Sequence, residues 1–288
     1  MVVMRLMRWL SLHLGRRVSR LILYPIAAYF VLFAPSAKRA SQQYLGRAMG
    51  RKAGIADGFR HVLSFASVVH DRVYWLSDRH DLFDIRITGE SVIDAYQREG
   101  RGVVFMGAHF GSFEALRVLG VGNGLDVRML MYPDNARMVT QTLAAINPAL
   151  GESVIALGRS DAILRARDHL ADGGCVGILS DRSVADAHDT STFTTNFLGA
   201  PAAFPSGPFR LAALLRAPVV FMAGIYLGAN RYHLCFEPVA DFQAVAHADR
   251  DAAIQKAQQR YVALLEAKCV EAPWNWFNFY DFWANEAR

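Results

Sequence analysis

Three cysteines in 288 residues, Cys175, Cys235 and Cys269, are too few and too scattered for a disulfide framework or a Cys-based metal site. They read as buried thiols in a reducing compartment. No G-x-S-x-G occurs, which argues against a serine hydrolase of the common α/β type. No repeat at a solenoid or propeller period is visible. Acidic residues are absent from 1–56, where ten Lys and Arg stand, leaving 21 basic against 26 acidic residues in 57–288. The net charge of +5 therefore belongs to one arm and not to the body. A nucleic-acid-binding body, whose basic footprint would cover a folded face, is not expected. An encounter between the arm and an anionic membrane surface is.

Long hydrophobic runs are missing too. The longest, "LILYPIAAYFVLFA" at 21–34, is fourteen residues broken by Pro25, short of the roughly 20 that a spanning helix needs. Upstream, Leu6, Trp9, Leu10 and Leu14 alternate with arginines in the manner of an interfacial helix. Three readings of this arm stay open. The favoured one is a membrane-associating, non-spanning region over 1–56. The others are a helix buried against the body and a signal peptide ending near "APSA".

What is present is an alternation. After a helix near 58–78, strands are expected at 84–89, 101–109, 127–132, 153–157, 175–180, 218–226 and 232–238. Helices are expected at 90–100, 112–119, 135–146, 160–172, 207–216 and near 250–270, with a long loop over 181–205. Helical segments of about a dozen residues between apolar strands mark crossover units. The fold class is therefore α/β, a single domain over 57–288 with a mostly parallel central sheet flanked by helices, carrying a membrane-associating N-terminal helix. In such sheets sites form beyond the carboxyl ends of strands. His109 and Asp181 both stand at such ends.

The stretch "FMGAHFGSFEALR" (105–117) carries the chemistry. On one continuous helix, five residues would place His109 and Glu114 about 140° apart. A strand ending at His109, a turn at Phe110-Gly111 and a helix from Ser112 would let Glu114 reach back to one imidazole nitrogen. The other nitrogen would then serve as a base. Amides near Gly111 and Ser112 would face a developing oxyanion. Blander accounts exist: Ser112 as an N-cap, Glu114 complementing the helix dipole, and His109 as a hydrogen-bonded structural residue.

"AHFGSFE" resembles the His-x4-acid motif of the lysophospholipid acyltransferase superfamily, and its Glu form is similar to the bacterial lipid A secondary acyltransferases. "GILSDRS", "FLGAPAAFPSGPFRLA" (197–212) and "APWNWFNFYDFW" (272–283) resemble further blocks of that family in the same order. Arg182 stands where those enzymes usually have Gln, Phe113 where Trp is commoner, and Asn278, Tyr280 and Asp281 where a basic pair is usual. A divergent branch is implied, such as the acyltransferases associated with aryl polyene synthesis.

The resemblance implies an acyl thioester donor on acyl carrier protein or coenzyme A. It implies a lipid or glycolipid acceptor, no cofactor, and the cytoplasmic face of a bacterial inner membrane. His109 and Glu114 are the expected catalytic pair, with Gly111, Ser112, Arg159, Asp181 and Arg182 as substrate-binding candidates. Phe193, Phe197 and Phe204 are candidates to line an acyl channel. Two competing readings remain. One is a glycosyltransferase holding a divalent metal at "DAHD" (186–189); the other is an inactive membrane-associated binding protein of the same fold.

Overall fold

The structure, a computed structural model, describes residues 13–77, 79–115, 124–131, 154–159, 161–182 and 191–283. Its centre is a seven-stranded sheet in the order β1-β9-β8-β2-β5-β3-β4. The strands are β1 (Asp84–Thr88), β2 (Val104–Gly107), β3 (Val127–Met131), β4 (Val154–Ala156), β5 (Cys175–Leu179), β8 (Pro218–Gly228) and β9 (Arg231–Asp241). Every pairing is parallel except β8 with β9. The α/β class and the mostly parallel sheet are as the sequence indicates. β2 and most of β5 are buried along their length, which is why both read as near-continuous apolar runs.

The helices that flank the sheet include α4 (Glu90–Arg98), α5 (Ala162–Ala171), α6 (Gly207–Leu214) and α7 (Arg250–Glu271). Expected and observed boundaries agree closely for these. The helix expected at 135–146 and the end of that at 112–119 lie outside the described residues. One expectation fails. The stretch taken as a loop over 181–205 contains a hairpin, β6 (Thr192–Phe197) with β7 (Ala200–Pro205). Leu198 and Gly199 turn it with φ of 52° and 78°, as a two-residue primed turn requires. Pro201 and Pro205 mask the pattern; an edge strand tolerates them because it need not donate outward.

The arm is helical from His13 and passes through a 3-10 turn at Arg20–Ile22 into α1 (Leu23–Phe33). It bends by 96° at Ala34 into α2 (Pro35–Met49). Pro35 at the first position of α2 sets the new direction. No single helix among the described residues is long and apolar enough to cross a membrane; only the bent pair taken together reaches that length and composition. α1 packs on α3 (Ile55–Trp75) through Leu23, Ala27 and Val31. Leu21, Tyr29, Phe30, Leu32 and Phe33 stay exposed on its other side. α2 belongs to the main core, since Tyr44 and Leu45 are wholly buried and Tyr44 donates a hydrogen bond to the Pro273 carbonyl. All three cysteines are buried and unpaired.

Candidate active site

The parallel register of β2 with β5 sets Met106 against Ile178 and Gly107 against Leu179. Two residues further, both chains leave the sheet at its carboxyl edge, and the same register carries His109 to Asp181. The imidazole Nδ1 lies 2.8 Å from Asp181 Oδ1, and the backbone N–H of His109 donates to Oδ2 at 3.1 Å. The Trp276 indole N–H donates to Oδ2 as well, at 2.9 Å. Asp181 is fully buried, whereas the His109 side chain is 39% exposed.

Burial works to raise the Asp181 carboxyl. His109, Arg182 and the Trp276 indole overcome it and hold the group well below the usual carboxylate range. An ionised carboxylate only accepts, so Nδ1 carries a proton, and in the neutral ring the lone pair is on Nε2. That is the arrangement of a positioned base with an orienting acid.

The carboxylate at His109 Nδ1 is that of Asp181 and not that of Glu114. Glu114 Oε1 lies 2.6 Å from Arg72 Nε on α3, and its Oε2 is buried with no hydrogen-bond partner among the described residues. The strand–turn–helix reading is correct, but the first helical turn directs the Glu114 carboxylate toward α3 while the neighbouring strand supplies the carboxylate at Nδ1. Ser112 caps that helix, its Oγ accepting from the Ala115 N–H at 3.1 Å.

A second correction concerns the turn amides. Gly111 donates to the Asn275 carbonyl and Ser112 to the Gly224 carbonyl, both at 2.8 Å. Neither N–H is left for an oxyanion. The turn is stitched from both sides. β8 approaches Gly111, whose φ is +59° and whose added Cβ would fall 1.8 Å from Gly224 O. On the other side the segment 275–277 pairs with the turn. Phe110 bridges Trp276, and the Phe277 N–H donates to the His109 carbonyl at 2.8 Å. Asn275 locks this segment to β8 by accepting from Tyr226 N–H and donating to Tyr226 O.

Arg182 is held close by. It donates to the Phe277 carbonyl, stacks over the Tyr280 ring at 5.1 Å, and places Nε 3.8 Å from Asp181 Oδ2. Two departures from the family blocks, Arg182 and Tyr280, thus contact each other. Arg159 is 66% exposed and pairs with Asp161, so the structure does not bring it to His109. Phe197 and Phe204 are fully buried in an aromatic cluster with Trp276 and Phe282, and Phe193 stacks on Phe204. Phe197 and Phe204 are core, whereas Phe193 is partly buried and lines a surface pocket with Thr195, Arg210 and Gln258. "DAHD" lies outside the described residues. Among the described residues no group of three or more His, Cys, Asp or Glu is placed to hold a metal.

Trp276 and Arg72 were not singled out from sequence. Trp276 was visible only as one aromatic among many in the last block, and Arg72 as one charge on a helix. Strand order is what makes both meaningful.

No curated protein compared with the chain matches it. The model of one family does, over residues 8–284: bacterial lipid A biosynthesis acyltransferases. The match runs through the arm, the His109 turn, the Asp181 strand end and the Trp276 segment, and by that extent the chain belongs to the bacterial lipid A biosynthesis acyltransferase family.

Proposed function

We propose that the protein moves a fatty acyl group from an acyl thioester, on acyl carrier protein or coenzyme A, to a hydroxyl or amine of a lipid or glycolipid at a membrane surface. The observation that carries this reading is His109 at the carboxyl edge of the central strand, with Nδ1 on a buried carboxylate and the ring partly open. His109 Nε2 takes the acceptor's proton as its oxygen or nitrogen attacks the thioester carbonyl. Asp181 stabilises the imidazolium. The C–S bond then breaks, and the proton passes from His109 to the departing thiolate. The step requires neither a metal nor a covalent acyl-enzyme intermediate.

With the Gly111 and Ser112 amides engaged, Arg182 is the group proposed to meet the developing oxyanion or an acceptor anion. Glu114 is proposed as a positioning residue, its ion pair with Arg72 fixing the first helical turn after His109 to α3. The arm over residues 1–56 associates with the membrane through the exposed face of α1, at the cytoplasmic side of a bacterial inner membrane.

The test is incubation with labelled acyl carrier protein and bacterial membrane extract, then mass spectrometry of acylated products. Transfer that is abolished in His109→Ala and survives a chelator is expected. Chelator-sensitive glycosyl transfer instead would return the metal-dependent reading, and no transfer at all would return the binding protein.

A further inference from the structure

The carboxylate beside His109 is fully buried, with the His109 ring and the Arg182 guanidinium, whose Nε is 3.8 Å from Oδ2, as its charged neighbours and the Tyr280 ring under that guanidinium. One of the carboxylate's contacts, the Trp276 indole N–H at 2.9 Å, comes from a side chain with no exposed surface. Trp276 is itself fixed at three points. Its backbone bridges Phe110, its ring packs edge-on to Tyr44 at 4.9 Å, and its carbonyl lies 2.8 Å from His61 Nε2. His61, on α3, is completely buried, and burial lowers its pKa to about 4. A carbonyl only accepts, so His61 Nε2 carries the proton. Its bare Nδ1 then accepts from the Ser41 hydroxyl of α2, 2.8 Å away. One polar chain therefore runs Ser41, His61, Trp276, Asp181, His109, from the helix that follows the membrane-associating α1 to the catalytic ring.

Resting on the proposed base role of His109, we propose that Trp276 is a positioning residue: its indole N–H, held in place by His61, fixes the Asp181 carboxylate and tunes the basicity of His109. Packing alone would require an aromatic ring here. It would not require the one ring whose N–H points at the carboxylate, nor a neutral buried histidine on its carbonyl. With the indole donor gone, Asp181 keeps more of its negative charge for His109. The protonated ring is then favoured, and the unprotonated base appears only at higher pH.

Trp276→Phe keeps the ring and removes the donor. With an acyl thioester donor and a membrane-lipid acceptor, kcat is expected to fall about tenfold, because a carboxylate no longer fixed by the indole holds the His109 ring less well in its reactive orientation. KM stays within about twofold by the same reasoning, because the indole does not touch substrate. The acid limb of the pH–rate profile moves to higher pH. Wild-type kcat and profile in Trp276→Phe, with His109→Ala inactive, would overturn the proposal and leave the base standing. Full activity in His109→Ala would overturn both.

Should Trp276→Phe not fold, the indole N–H resonance of 15N-tryptophan-labelled protein decides. A hydrogen-bonded resonance that moves upfield in Asp181→Asn supports the contact. The same resonance unmoved overturns it.

Discussion

The arm and the sheet edge are opposites in what they bury. At the sheet edge a carboxylate is sunk beneath a partly open imidazole, and the chain around it is fastened on both sides. In the arm, large apolar side chains such as Leu32 and Phe33 are 69% and 68% exposed. Nearer the start of the arm an arginine is tied to a buried aspartate: Arg16 makes two bonds to Asp71, at 2.8 and 2.6 Å, and Tyr232 donates a third at 2.8 Å. Burial works against the Asp71 charge, and the bonds from His70, Arg16 and Tyr232 outweigh it, so its pKa is lowered. Arg16 and Arg20 also donate to the Ala229 carbonyl at the β8–β9 turn, and Ser19 contacts His70 at 2.8 Å. A chain that was merely an apolar tether would not spend buried polar groups on the body. Polar groups latch the arm upstream of α1, and α1 itself packs inward through Leu23, Ala27 and Val31, which leaves Leu32 and Phe33 facing outward.

The sharpest way to separate the two regions is a pair of substitutions. His109→Ala is expected to lower kcat by about 10²–10⁴-fold, the range for a lost general base. Its stability should fall less than that of Asp71→Ala, since Asp181 keeps its bonds from the Trp276 indole and the His109 backbone N–H. Asp71→Ala should do the reverse. Removing one partner of a buried ion pair costs about 3–5 kcal/mol, so denaturant unfolding should shift strongly while the remaining folded enzyme turns over normally. A catalytic defect in Asp71→Ala without lost stability would show that the latch belongs to the site.

The two regions also differ in how much of them the sequence discloses. β2 and β5 are legible because they are covered on both faces and read as apolar runs. His109 and Asp181 stand out as polar residues closing those runs. Their adjacency is not legible, because nothing local states that β5 lies beside β2. Glu114, close in sequence and of the right chemistry, therefore takes the orienting role in a local reading. The hairpin at 192–205 is hidden by its prolines and by Leu198 in a left-handed conformation, which is unusual for that residue. The outer face of α1 is readable from composition. The latch upstream of it is not, because Asp71 and Tyr232 are 161 residues apart.

Next in size is the response of His61 to acid. Its pKa falls from 6.5 to about 4 on burial. Between those values the unfolded chain holds a proton that the native state refuses, so stability is full above pH 6.5 and drains as pH falls toward 4. The loss is on the order of 3 kcal/mol at 1.36 kcal/mol per unit. His61→Gln, which retains a donor for the Trp276 carbonyl, should flatten that slope in urea titrations at pH 4.5 to 7. An unchanged slope would mean that another buried group carries the acid sensitivity. Smaller still is the pair formed by Glu114 and Arg72. If Glu114 acts through Arg72, the rate penalties of Glu114→Gln and Arg72→Gln should not add, with a coupling of about 1 kcal/mol. Additive penalties would detach Glu114 from Arg72.

The smallest expected effect on turnover comes from the outer face of α1. Leu32→Ser and Phe33→Ser remove apolar surface that the folded chain does not use, so Tm should not fall. Burying one such side chain is worth about 1.5–3 kcal/mol, and partial insertion at an interface realises less. Each change should lower partitioning onto anionic vesicles by about tenfold, since 1.4 kcal/mol is a factor of ten. Arg17 and Arg39 are exposed near the two ends of the apolar stretch. Their attraction to anionic lipid should make the residual binding fall with salt. Activity on a detergent-dispersed acceptor should be unchanged, because the latch upstream of α1 is intact. Unaltered vesicle partitioning would remove the membrane from the account of this face. Equal losses with dispersed and vesicle-bound acceptor would instead mean that α1 reaches the site, and the separation between the two regions would fail.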